Sequence, residues 1–295
     1  MKNLIRIGTM LGASEVVRLG KRLAELGFEC LELGFGSGIA GQDVKPWVED
    51  VQKGLDGTNI TISGLSVYDN PMLDTEAGLT ARKAWATLID ACELFDTNVV
   101  CGFTGRVPGV SIHECMPKFK EVFEPLAKQA ADKGVKLAFE NCSMGGNWWT
   151  GDHNIALNGQ AWEMMFNTVN MDNIGLEWEP CHQMAQLIDP MKSLKKWAPR
   201  IFHIHGKDAT IDRDVISEYG ISAAKEWCWH RTPGFGECNW ADIISILRMN
   251  KYEGNIDIEG YHDPVYREEF ELMGQVHALD YLKFCRGGEY VENIF

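Results

Sequence analysis

Four residues at the ends of short apolar runs carry the chemistry this sequence offers: Glu140, Glu179, His205 and Glu259. Alternate side chains of a β-strand share a face. In the run 135–139, Leu137 and Phe139 suit a helix-facing side, which turns Ala138 and Glu140 inward. The run 174–178 sends Leu176 and Trp178 outward and Gly175, Glu177 and Glu179 inward. The run 201–205 puts Phe202 and Ile204 outside with His203 and His205 inside, and 256–259 puts Ile256 and Ile258 outside with Asp257 and Glu259 inside. Each run therefore ends on an inward ionisable residue. Three carboxylates converging without a cation would repel one another and raise their pKa values. A divalent metal removes that conflict, and a set of three oxygens and one nitrogen points to Mn2+ first, with Mg2+, Co2+ or Zn2+ as alternatives. A metal chelated by adjacent hydroxyl and carbonyl oxygens acidifies the C–H between them and stabilises the enediolate formed when that proton leaves. Two carboxylates flanking the substrate supply base and acid, and Glu140 and Glu259 are the expected catalytic pair.

Positioning such a ring requires strands that end at one mouth. Branched apolar runs recur at 4–7, 30–33, 60–65, 98–101, 135–139, 174–178, 201–205 and 256–259, with helical spacing at 13–26, 80–95, 114–131, 161–169, 190–197, 240–249 and 268–284. Eight such alternations without a linker predict an α/β fold, a single (β/α)8 TIM barrel over 1–295, whose active site lies at the carboxyl ends of its strands. A doubly wound sheet would need G-x-G-x-x-G after the first strand, and none is there. Two connections exceed what a barrel needs, 141–160 with Trp148 and Trp149 and 209–239 with Trp227, Trp229 and His230, and their aromatic content marks them as lids over the mouth.

Bulk properties narrow the function. The net charge of -14 repels phosphate backbones, which speaks against nucleic-acid binding and leaves a small partner, neutral or drawn in by a metal; with the enediolate chemistry of the ring, a small carbohydrate is the expected substrate. Nine scattered cysteines form no C-x-x-C pair and read as reduced thiols. The first ten residues lack an unbroken apolar run, and no stretch is long enough to span a membrane, so a cytoplasmic protein is expected.

The motifs Phe139-Glu140-Asn141-Cys142, Asn154-Ile155-Ala156 before Ala161-Trp162-Glu163, Glu179-Pro180-Cys181-His182, His203-Ile204-His205-Gly206-Lys207-Asp208 with Asp212-Arg213-Asp214, Pro233-Gly234-Phe235-Gly236 and Ile258-Glu259 resemble the xylose isomerase-like barrels known as sugar phosphate isomerases/epimerases. The resemblance implies metal ligation by Glu140, Glu179, His205 and Glu259, proton exchange by Glu140 and Glu259, and substrate contact by His182. It also implies a possible homodimer. Two departures stand out: Glu179 replaces the usual Asp, and Glu177 replaces a commonly neutral residue. Glu177 reads as a carboxylate partner of a metal-bound histidine first, and as a protonated core residue or an alternative ligand otherwise, with His203 one layer below His205.

Further substrate-binding candidates are Lys207, Asp208, Arg213, Trp148 and His230. Arg213 and Arg231 are the available grips for an anionic group, but basic residues are too scarce to carry the word phosphate over to this substrate. Glu32 and the Tyr68-Asp69-Asn70-Pro71 turn face the opposite wall and receive no chemistry. The leading function is a metal-dependent sugar isomerase or epimerase acting through an enediolate. A lyase or dehydratase acting on an inosose or oxidised glycoside uses the same residues. An endonuclease of abasic DNA and a non-catalytic sugar-binding protein rank lower.

Overall fold

The computed structural model describes residues 4–260, 262–292 and 294. Eight parallel strands close into a barrel: β1 (Ile7–Gly12), β2 (Cys30–Gly34), β3 (Thr61–Val67), β4 (Val99–Gly102), β5 (Lys136–Glu140), β6 (Ile174–Trp178), β7 (Ile201–Gly206) and, after two strands of a separate ribbon, β10 (Ile256–Ile258). The helices between them are α1 (Val16–Glu25), α2 (Lys45–Leu55), α3 (Glu76–Ala91), α4 (Ile112–Asp132), α5 (Gly159–Thr168), α6 (Pro180–Met184), α7 (Pro190–Trp197), α8 (Arg213–Tyr219), α9 (Trp240–Met249) and α10 (Glu271–Arg286). The expected barrel is present, with the first strand starting at Ile7 instead of residue 4. No helix among the described residues is long and apolar enough to cross a membrane.

Local signals start the helices where they do. Ser111 and Glu114 form a reciprocal capping box that opens α4 two residues before its apolar spacing suggests. Thr75, Asn158, Asp189 and Asn239 cap α3, α5, α7 and α9 with their side chains. Outside the barrel, Phe139 of β5 meets Phe123 and Phe119 of α4 at ring-centroid distances of 4.8 and 5.8 Å, and Trp85 of α3 stands 5.5 Å from Phe123. This aromatic cluster holds the outward face of β5, so Glu140 must turn to the interior.

Strand pairing slips at two places among the described residues, between Leu31 and Glu32 where β2 meets β3 and again where β6 meets β7. The pairing of β6 with β7 slips between Leu176 and Glu177, so that Leu176 faces Ile201 while Glu177 faces His203. Phe202 is the extra residue of this bulge, and it packs inward against Val99, Cys101 and Ala138 instead of outward as the alternation predicts. Gly175 makes room for it: a Cβ there would lie 2.6 Å from the Phe202 ring. The bulge resets the phase, and His203 and His205 remain inside, 0% and 1% exposed.

The connection 209–239 is not a plain loop. Strands β8 (Asp208–Ile211) and β9 (Cys228–Arg231) pair antiparallel around α8. Alternation was masked there because the ribbon is short and interrupted by a helix.

The buried aromatic cluster gives a stability expectation. Phe123→Ala should cost about 3–5 kcal/mol of unfolding free energy, read by urea denaturation; a loss below ~1 kcal/mol would mean this face is not the one that fixes β5.

Candidate active site

Glu140, Glu179, His205 and Glu259 each bring one ligand atom to a common point, all within 4.8 Å of one another. His205 Nδ1 lies 3.3 Å from Glu259 Oε2 and 3.8 Å from both Glu179 Oε2 and Glu140 Oε1. His205 Nδ1, Glu179 Oε2 and Glu259 Oε2 are buried and make no hydrogen bond. The distances bring charges together without the alignment that a hydrogen bond requires. Lys207 holds the other oxygens, Glu259 Oε1 at 2.9 Å and Glu179 Oε1 at 3.3 Å, which leaves both Oε2 atoms turned to the centre.

Backbone clamps bring the strand ends into this arrangement. The Asn141 side chain accepts from the Glu179 N–H at 2.6 Å and donates to the Glu179 carbonyl at 2.9 Å, tying the end of β5 to the end of β6. Asn154 donates to the carbonyls of Glu140 and Cys142, both at 2.8 Å, and its oxygen accepts from Thr104. Both asparagines stand in motifs noted in the sequence, but a side chain that clamps backbone leaves no periodic signal, and their role emerges only in three dimensions.

Burial and charge pull the carboxyls apart. Burial pushes Glu140 well above the usual carboxylate range. Burial acts the same way on Glu179, but His182 and Lys207 outweigh it and hold Glu179 well below that range. Burial is likewise outweighed at Glu259, chiefly by Lys207, which lowers it to about 2. Burial opposes charge on His205, yet Glu177 and Glu32 beside it hold the imidazole well above its ordinary value.

Beneath the ring lies a second polar layer. His203 is held between Glu177 Oε1 at 2.9 Å and Asp257 Oδ2 at 2.8 Å, and these two bonds overcome its burial to raise it to about 10. Glu177 Oε1 also lies 3.1 Å from His205 Nε2. Glu32, fully buried, meets the same nitrogen at 2.8 Å.

A cavity of about 560 Å³ opens above the ring, lined by Glu140, Glu259, His205, Lys207, His182 and His230 among others. Its remaining walls include Met10, Tyr68, Phe103, the 142–145 segment and His262. His182 Nε2 stands 3.2 Å from Glu179 Oε2 and 3.7 Å from Glu140 Oε1. His230, on β9, is kept neutral by burial and by nearby Lys207 and His182, which lower it to about 4. A larger cleft near Arg6 and Glu29 takes in Asn59 and Ile60, just before β3 begins, and thus marks the amino ends of the strands, the end barrels use for stability.

Three expected substrate contacts are not brought to this cavity. Asp208 is buried and accepts from the N–H groups of Ala209 and Cys238 and from Trp240 Nε1, so it anchors the ribbon. Arg213 is exposed and paired with Glu237 at 2.9 Å. Trp148 packs against the hydrophobic core, and its carbonyl accepts from Ile112 N–H. Arg231 likewise pairs with Asp263 at 3.1 Å.

Comparison with known proteins agrees with this architecture. The sequence profile of the family described as xylose isomerase-like TIM barrel matches residues 21–281. An uncharacterized protein of Bacillus subtilis, YfiH, is 23% identical over 262 residues, 78% of this chain and 80% of its own length. Inosose dehydratase 1 of Bacillus cereus is 27% identical over 173 residues, which is 57% of this chain and only 53% of that relative. Among solved structures, the 3-keto-D-glucoside 4-epimerase of E. coli superposes with a TM-score of 0.71 at 16% identity, covering 95% of this chain and 100% of the other. D-psicose 3-epimerase, solved in the presence of D-fructose, gives 0.68 at 15% identity over 96% of this chain and all of the other. The IolI protein, solved with a bound zinc atom, gives 0.63 at 18% identity over 95% of this chain and 96% of its own. With its profile matched from Lys21 to Tyr281 and its eight strands closed in the same way, the chain belongs to the xylose isomerase-like TIM barrel family.

Proposed function

We propose that the chain is a metal-dependent sugar isomerase or epimerase acting on a keto-sugar or related polyol by proton transfer. The observation that carries this reading is the ring of four ligand atoms, three of them buried without a hydrogen-bond partner. Leaving such atoms unsatisfied is costly, and one divalent cation would satisfy them together. Three carboxylate oxygens and one imidazole nitrogen suit Mn2+ ahead of Mg2+, Co2+ or Zn2+. When bound, the metal would polarise neighbouring hydroxyl and carbonyl oxygens of a sugar and acidify the C–H between them.

The protein's own groups do the rest. Glu140 and Glu259 both line the cavity, and one takes the proton that the other returns. Lys207 fixes the outer oxygens of Glu179 and Glu259 and so orients their inner ones. His182 and His230 hold substrate oxygens at the rim, and Glu177 with His203 supports the ring from below. The cavity is lined by no arginine among the described residues, which favours an uncharged sugar over a sugar phosphate.

A second reading rests on the inosose dehydratase relatives: the same proton leaves, and water then departs from the adjacent carbon. The net charge of -14 argues against the DNA-cleaving alternative.

Two measurements test the proposal. Chelator-stripped protein should take up one equivalent of Mn2+ in a calorimetric titration, and Glu179→Gln or His205→Ala should weaken uptake by more than the ~10–100-fold that loss of an outer partner costs; equal uptake in both variants would refute the metal site. Incubated with keto-sugars in deuterated water, the Mn2+-loaded protein should exchange a C–H proton, and Glu259→Gln should slow this by ~100–10,000-fold. Exchange without mass loss identifies the isomerase or epimerase, whereas loss of water identifies the dehydratase.

A further inference from the structure

We propose that Glu32 and Tyr68, acting with Glu177, form a clamp on Nε2 of His205 that decides which ring nitrogen is offered to the metal. This inference rests on the metal reading of the ring above it. The three residues come from three different elements: Glu32 from β2, Tyr68 from the residue after β3, and Glu177 from β6. Glu32 Oε2 lies 2.8 Å and Glu177 Oε1 3.1 Å from His205 Nε2. The Tyr68 hydroxyl lies 2.7 Å from Glu32 Oε1, 3.0 Å from Glu177 Oε2 and 3.3 Å from His205 Nε2.

The chemistry of these neighbours settles where the proton sits. A lone pair on Nε2 would face two carboxylate oxygens at hydrogen-bonding distance, and both repel it. Nε2 therefore carries the hydrogen, and in the neutral ring the lone pair is left on Nδ1, which has no hydrogen bond and faces Glu140, Glu179 and Glu259. A metal-bound histidine that donates its other N–H to a carboxylate is held in tautomer and orientation, and its basicity rises. Here one N–H has two carboxylate acceptors.

Tyr68 keeps those two carboxylates in place. Its single O–H hydrogen is shared between Glu32 Oε1, the nearer acceptor at 2.7 Å, and Glu177 Oε2 at 3.0 Å, the oxygens on each carboxylate that His205 does not use. The phenol ring is fixed edge-on to Phe103 at a centroid distance of 5.1 Å and also lines the cavity. From below, His203 holds Glu177 Oε1 at 2.9 Å while Asp257 holds His203, so Glu177 cannot swing away. Tyr68 and Glu32 are thus positioning residues that act through His205.

The test uses the full chain, stripped of metal and titrated with Mn2+, together with a nitrogen–proton correlation spectrum of the Zn2+-loaded, 15N-histidine-labelled protein. Tyr68→Phe and Glu32→Gln are expected to weaken Mn2+ binding by ~10–100-fold, and Glu32→Ala by more than Glu32→Gln, because the amide keeps one acceptor oxygen. The wild-type spectrum should show the His205 hydrogen on Nε2, with its proton resonance shifted when either partner is changed. A purely structural role would not move that resonance. Variants that bind Mn2+ within about threefold of wild type, or a wild-type spectrum with the hydrogen on Nδ1, overturn the clamp alone. A wild-type protein that takes up no Mn2+ overturns the metal reading and the clamp with it.

Discussion

The constraint on which this structure depends is the burial of charge inside the barrel. Barrel interiors are ordinarily filled by branched apolar side chains in layers. Here the upper layers carry six buried carboxylates, Glu32, Glu140, Glu177, Glu179, Asp257 and Glu259, facing His182, His203, His205 and Lys207. Taking such groups out of water costs several kcal/mol per ion unless each is paired and hydrogen-bonded. The lower layer meets that demand internally, since every carboxylate of Glu32, Glu177 and Asp257 has an imidazole within 3.1 Å. The upper layer does not, since Glu179 Oε2, His205 Nδ1 and Glu259 Oε2 are left there without hydrogen-bond partners.

That contrast explains why one layer reads as scaffold and the other as site. A saturated network rigidifies what stands on it, because each hydrogen bond fixes the direction of the next. Asp257, His203, Glu177 and His205 form such a chain, from β10 to β7 to β6 and back to β7. The unsaturated layer above is then held open by strand ends that cannot relax toward one another, because Asn141 and Asn154 lock their backbones. Preorganisation of this kind is what a site needs if binding energy is not to be spent on rearrangement.

Much of this was legible in the sequence because strand periodicity is local. Period-two alternation put Glu140, Glu177, Glu179, His203, His205, Asp257 and Glu259 on the inner face, and all of them are buried there. What escaped has a physical cause in each instance. The bulge at Phe202 depends on pairing between two strands, which a single strand does not reveal. Asp208, Arg213 and Trp148 follow or flank site motifs in sequence, but side chains beyond a strand end are aimed by loop geometry, and here that geometry sends them to the ribbon, the surface and the core. Glu32 had the right phase on the second strand, yet no partner near it in sequence announced that it would meet a histidine 173 positions away.

The two long connections extend the same logic from the ring to the cavity wall. The 141–160 segment carries aromatic residues, as expected of a mobile cover, but Asn147, Trp148, Asp152 and Asn154 tie it down. Arg106, fully buried, spends its guanidinium on the carbonyls of Asn147, Val110 and Trp148 instead of on a carboxylate. The Asn70 side chain donates to the carbonyls of Arg106 and Asp152. A buried cation bonded only to backbone carbonyls, two of them from this segment, makes opening the segment costly, since the guanidinium would lose both of those partners together. The wall from Cys142 to Gly145 is therefore held at a fixed distance from the ring, and the opposite wall, carried by His230 on the β8–β9 ribbon, is anchored through the buried Asp208 at the root of that ribbon. Under the proposed function, selectivity among sugars would follow from shape and hydrogen bonding at these fixed walls, which carry no arginine among the described residues.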